Sequence, residues 1–140
     1  MSDKVFLDTN ILVCAYDENE PKKQQKAQDI LTDGIEQESS FLSVQVLGEF
    51  FNVVTRYIPQ PMSSDEALEI IDMLRIMPVQ EIDLIMVKRA IDTHKTYKIS
   101  YWDSLILSAA ERAGCTMLFS EDLSDGQTYQ NILVRNPFKT

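Results

Sequence analysis

The feature that most constrains this chain is an alternation. Short apolar runs stand between longer stretches with helical spacing. Val5-Phe6-Leu7 stops abruptly at the polar Asp8-Thr9-Asn10 and reads as a buried strand. Phe41-Leu42-Ser43 reads as a second strand, residues 78–81 as a third, 116–119 as a fourth and 131–134 as a last. Between them lie a short helix over 10–15, a polar turn over 17–21 and a helix over 22–36. That helix carries Ala27, Ile30, Leu31 and Ile35 on one face, with Gly34 near its end. Residues 44–57 are helical and apolar nearly all round, and two prolines within 58–62 break them. Ser63 and Glu66 form a capping-box pattern that opens a helix running to Met77. Asp83 caps another to His94, and Ser100 opens one that runs to Ala113 and ends at Gly114. Asp125-Gly126 marks a turn. Strands that alternate with helices define an α/β sandwich around a mostly parallel sheet. With 140 residues, no repeat and no linker, residues 1–140 read as a single domain.

Charge narrows the function classes. Thirteen basic residues against 22 acidic ones leave a net charge of −9, which repels nucleic-acid backbone and argues against a plain DNA- or RNA-binding module. It is compatible with a nuclease that recruits divalent cations through its carboxylates, and with a basic protein partner. Cys14 and Cys115 have no ligand-type spacing and read as reduced, buried thiols. The N-terminus lacks a signal-peptide pattern, and no apolar run approaches the roughly 20 residues of a membrane helix. The expectation is a cytoplasmic protein.

Sites in open α/β sheets form outside the carboxyl ends of the strands. Four acids fall there or on the helices that follow: Asp8 after the first strand, Glu49 in the helix after the second, Asp103 at the start of the helix before the fourth, and Asp122 after the fourth. Each also has a structural reading. Asp8 can cap the segment from Asn10, and Asp103 fits a capping-box spacing from Ser100, although its helix neighbours Ile106, Leu107 and Ala110 turn it inward. Asp122 can be a turn residue. Glu49 shares a helix face with Val46 and Val53 and needs compensation, either at a shared metal site or from Arg56 or a lysine. What the structural readings leave unexplained is four acids at equivalent topological places.

The chemistry that fits is phosphodiester hydrolysis. Clustered carboxylates raise one another's pKa, and magnesium or manganese relieves the repulsion, activates a water and stabilises the leaving oxygen. Metal-free ribonuclease chemistry commonly needs two acid–base groups; the one histidine, His94, reads as a solvated helix residue. RNA contact needs local cations. Lys22, Lys23 and Lys26 cluster on one helix, and Lys88, Arg89 and Lys95 on another, with solvated faces as the plainer reading. Tyr101 and Trp102 can stack bases or pack in the core.

These residues resemble those of PIN-domain nucleases. Val5 to Leu12 (VFLDTNIL) is similar to their opening motif, Ser43 to Phe50 (SVQVLGEF) to the second and Tyr101 to Ile106 (YWDSLI) to the third. Ser120-Glu121-Asp122-Leu123, with Asp125-Gly126 and Asn136-Pro137-Phe138, looks like the fourth motif and the closing strand. The resemblance covers nearly the whole chain and is nearest to stand-alone bacterial VapC toxins. It implies a three-layer sandwich and an acidic pocket of Asp8, Glu49, Asp103 and Asp122 that binds magnesium or manganese and cleaves RNA. Asn10 and Ser120 match positions that orient the acids and the bound water. A homodimer, and an antitoxin whose basic tail blocks the site, are implied as well. Glu121 and Asp125 compete with Asp122 for the fourth acid, and Asp122 matches the family pattern.

Two rivals remain. A magnesium-dependent phosphatase with Asp8 as nucleophile usually has a second aspartate two residues on, where Asn10 stands. A non-catalytic module is the other: a phospho-receiver would need a lysine after the last strand, where Arg135 and Asn136-Pro137 stand instead, and a metal- or protein-binding scaffold leaves Glu49 unexplained.

Overall fold

The structure, a computed structural model, describes residues 3–139. In chain order it contains β1 (Val5–Leu7), α1 (Thr9–Cys14), α2 (Pro21–Glu36), β2 (Ser40–Ser43), α3 (Val44–Arg56) and α4 (Ser64–Leu74). These are followed by β3 (Val79–Gln80), α5 (Leu84–Tyr97), α6 (Tyr101–Arg112), β4 (Met117–Phe119), β5 (Thr128–Tyr129) and β6 (Ile132–Arg135).

The six strands form one sheet in the order β3-β2-β1-β4-β6-β5. All neighbours are parallel except β5, which runs antiparallel to β6. In the centre, Val5 pairs with Ser40 on one side and Met117 on the other. The chain builds outward from β1 to β2 and β3, then returns across the sheet to β4. Because parallel crossovers are right-handed, this reversal moves the helices from one face to the other. Helix α1 packs on α2 and α3, α3 packs on α4, and α5 packs on α6. The result is the expected α/β architecture, a mostly parallel sheet flanked by helices. Phe6, Leu7, Leu42 and Leu118 of the sheet are fully buried between the layers with Ile11, Leu12, Phe50 and Leu107 of the helices.

The helix starts follow from the local sequence. Side chains of Ser43, Asp83 and Ser100 accept the N–H groups of Val46, Met86 and Asp103. Ser63 and Glu66 make both bonds of the capping box. Several boundaries differ from the sequence expectation. Helix α4 ends at Leu74, because Met77 is drawn into the core in the turn before β3. Helix α5 runs on to Tyr97 and closes at Lys98 in the left-handed conformation. Helix α2 ends at Glu36 as the spacing predicts, with Gly34 in its last turn, where a Cβ would sit 1.9 Å from Ser40 Oγ. The glycine therefore marks close approach of helix and strand. Strand β5 was not anticipated: Thr128-Tyr129 is too short to carry a period of its own.

Candidate active site

The switch in strand order falls between β1 and β4, and the site lies at their carboxyl ends. The Asp8 N–H donates to Phe119 O at 3.0 Å, so the two strand ends leave the sheet side by side. Asp8 is also the N-cap of α1, and its Oδ1 accepts the Thr9 N–H at 2.7 Å. The capping reading of this residue therefore holds, and its second carboxylate oxygen is left to face the strand ends. Its Oδ2 accepts the Ser120 hydroxyl at 2.6 Å. Asp8 is only 2% exposed. Burial pushes its pKa up to about 7, aided by the charges of Asp122 and Asp103 and opposed by the bonds from Ser120 and Thr9.

Asp103 comes from the first turn of α6, where its N–H donates to Ser100 Oγ at 3.0 Å. It is half-buried rather than fully turned inward. Burial, with the charges of Asp122 and Glu49, raises its pKa against a lowering bond from Ser100. Asp122 is exposed, on the loop after β4, and its N–H donates to Ser120 Oγ at 3.1 Å. One carboxylate oxygen each from Asp8, Asp103 and Asp122 lie within 4.8 Å of one another.

Asn10 and Ser120 stitch Asp8 and Asp122 together, while Asp103 is held from its own helix start. Asn10 Nδ2 donates to Asp122 Oδ2 at 3.2 Å and reaches Asp8 Oδ2 at 3.5 Å, while Asn10 Oδ1 accepts the Glu121 N–H at 3.3 Å. Ser120 Oγ gives its proton to Asp8 and accepts from Asp122, which binds the two loops. Glu121 is turned elsewhere: it pairs with Lys23 at 2.6 Å and accepts from Cys14 Sγ at 3.7 Å. Of the neighbouring acids in the fourth motif, Asp122 is thus the one beside Asp8.

Glu49 stands at the rim, outside the close trio. Its Oε1 accepts the Thr9 hydroxyl at 2.7 Å and its Oε2 the Gln45 amide at 3.3 Å. The same Gln45 Nε2 donates to Trp102 O at 3.1 Å and so ties α3 to the start of α6 beside Asp103. Among the described residues no cation pairs with Glu49; Arg56 is exposed and lies over the Tyr57 ring. Sequence reasoning missed Thr9 and Gln45. Thr9 adjoins the first acid, and Gln45 lies one helical turn before Glu49, a spacing that places the two on one face. Trp102 is 61% exposed, which sets aside its core-packing reading, and its ring meets that of Tyr101 edge-on. His94 is exposed. Cys14 and Cys115 are free and buried.

A groove of about 520 Å³ opens beside the trio and is lined by Asp17, Glu20, Glu49, Glu121 and Asp122 together with Thr9 and Asn10. The three clustered ligand atoms are carboxylate oxygens, the preference of a hard divalent cation. A buried Asp8 crowded by two further carboxylates is a group whose charge such a cation would stabilise, so the residues fit a hard divalent cation.

A parallel α/β sheet with an acid cluster at its switch point defines the class, and a family model narrows it. The PIN domain model matches residues 5–124, and the chain belongs to that family. No curated protein matches it. The fold is similar to VapC20 of Mycobacterium tuberculosis, described as a toxin that cleaves the sarcin–ricin loop. The TM-score is 0.68 at 15% identity, over 85% of this chain and 90% of that one. A toxin–antitoxin complex from Klebsiella pneumoniae gives a TM-score of 0.71 at 16% identity, over 98% of this chain and 100% of that one. VapBC2 of Rickettsia felis, bound to a DNA fragment from its promoter, gives 0.68 at 17% identity over 94% and 96%. At such identities the likeness is one of fold.

Proposed function

We propose that this protein is a divalent-metal-dependent endoribonuclease and the toxin of a toxin–antitoxin pair, acting in the cytoplasm. The observation that carries the reading is the trio of carboxylates, converging from β1, α6 and the loop after β4 at the switch point of a PIN domain. Asp8, Asp103 and Asp122 would hold the ion, with Glu49 as the fourth acid at the rim. Bound there, magnesium or manganese supplies a water of lowered pKa and neutralises charge on the scissile phosphate.

The chain's own residues prepare the site. Ser120 and Asn10 fix the orientation of Asp8 and Asp122, and Thr9 fixes that of Glu49. Burial around Asp8 keeps bulk water from screening the charges there. The acidic groove beside the trio suits a basic antitoxin segment, and the toxin–antitoxin complexes among the similar folds support that partner. Exposed Leu68 and Met73 on α4, with Leu84 and Ile85 on α5, offer apolar surface for a homodimer.

The test is cleavage of a mixed RNA pool by purified protein in magnesium, in manganese and in EDTA, beside Asp103→Asn. Cleavage should require the metal and fall at least ~100-fold in the variant, the order of loss when one charge-stabilising group is removed. Undiminished cleavage in EDTA would remove the metal from the account. Undiminished cleavage by the variant would remove Asp103.

A further inference from the structure

Beyond the acid cluster, an open cavity of about 400 Å³ is lined by Lys22, Lys23, Lys26, Pro137, Phe138 and Lys139. In a chain of net charge −9, its lining among the described residues holds four lysines and no acidic side chain. Sequence spacing gives only the helical cluster; the fold adds Lys139 and the Phe138 ring from the far end of the chain. Lys22 and Lys26 are exposed, as is Lys139, and none of the three forms an ion pair with another described residue. By contrast Arg89, in the other basic cluster, is engaged by Glu111 and Asp92.

The cavity also borders the acid site. Lys23 Nζ lies 5.5 Å from the Phe138 ring centroid and pairs at 2.6 Å with Glu121, which adjoins Asp122 and lines the acidic groove. The Lys23–Glu121 pair is thus the boundary between a cationic and an anionic surface. We propose that the Lys22–Lys26–Lys139 cavity is the subsite that holds the backbone of single-stranded RNA as it approaches the acid cluster. This deepens, and rests on, the ribonuclease reading.

The physical case is local charge. The net charge repels RNA, so productive approach needs a place where the field reverses. Lys22 and Lys26 are one helical turn apart, about 6 Å along the axis, which suits successive phosphates of an extended strand. Phe138 supplies an apolar wall against which a base can rest. A basic antitoxin segment would be repelled here and drawn to the groove on the other side of Lys23–Glu121. Substrate and inhibitor would therefore approach the acids from opposite sides.

The test is fluorescence anisotropy of a labelled single-stranded oligouridylate in EDTA, where metal-dependent cleavage cannot consume it. The probe is titrated with wild-type protein and with the triple variant Lys22→Ala/Lys26→Ala/Lys139→Ala across a salt series. The variant should bind about tenfold more weakly. Its log–log salt slope should be shallower by about 2, since each lost phosphate contact on a single strand removes about 0.7. Its melting temperature should be unchanged, and the matching triple arginine variant should restore binding. Equal affinity and slope in the alanine variant would overturn the subsite, as would displacement of the probe by polyglutamate as readily as by unlabelled RNA. The two readings fail separately. A wild type that binds through these lysines but cleaves no RNA sinks the nuclease and keeps the subsite; one that cleaves while the lysines prove irrelevant does the reverse.

Discussion

At the scale of single residues, Asp8 carries the largest electrostatic strain. In the unfolded chain it titrates near 3.8, and in the metal-free fold near 7 because burial disfavours its charge. Between those values the folded state binds more protons than the unfolded one. The stability this group confers is therefore fully present below about pH 3.8 and is lost as the pH rises through about 7. Asp8→Asn keeps a capping side chain and cannot ionise. In EDTA, denaturant unfolding should find it close to wild type near pH 4 and more stable at pH 8, by on the order of 2 kcal/mol and at most about 4. Equal stability at both pH values would mean that Asp8 is not the strained group. Much at this scale was legible. Asp8, Asn10 and Ser120 sit where strand ends meet polar residues, and they fall together in space. The arrangement of Glu49 was not legible, because its partners Thr9 and Gln45 are neutral and no charge pattern announces them. Nor was the exposure of Trp102, since an aromatic in the first turn of a helix points to whichever side the neighbouring element leaves open.

At the scale of elements, the strands and helices with capping signals were readable in order, because caps and apolar runs are local physics. Ends set by tertiary contact were not. Helix α4 stops where Met77 enters the core, and β5 exists only because β6 offers it an edge. Gly34 shows the same limit. Inside α2 an alanine would ordinarily be favoured over glycine by about 1 kcal/mol. Here its Cβ would meet Ser40 Oγ at 1.9 Å, on a side chain that is itself buried in β2. Gly34→Ala should therefore destabilise the protein by ~1–3 kcal/mol through overpacking, visible as a lower urea midpoint at unchanged slope. A raised midpoint would show that helix propensity outweighs the clash and that Ser40 can move aside.

At the scale of the whole molecule, the candidate site is a product of topology. Asp8, Asp103 and Asp122 are far apart in sequence and meet only because β1 and β4 are neighbours and α6 delivers its first turn to their ends. The same assembly leaves Glu49 on the rim, joined through Thr9 rather than placed among the three. The direct test of this arrangement is calorimetric titration of manganese into the folded wild type and into Asp8→Asn, Asp103→Asn, Asp122→Asn and Glu49→Gln, each checked for an intact fold. The account predicts one class of site, with affinity reduced at least ~10-fold in each of the three aspartate variants and less in Glu49→Gln. Wild-type affinity in the aspartate variants, or loss of binding in Glu49→Gln alone, would contradict it.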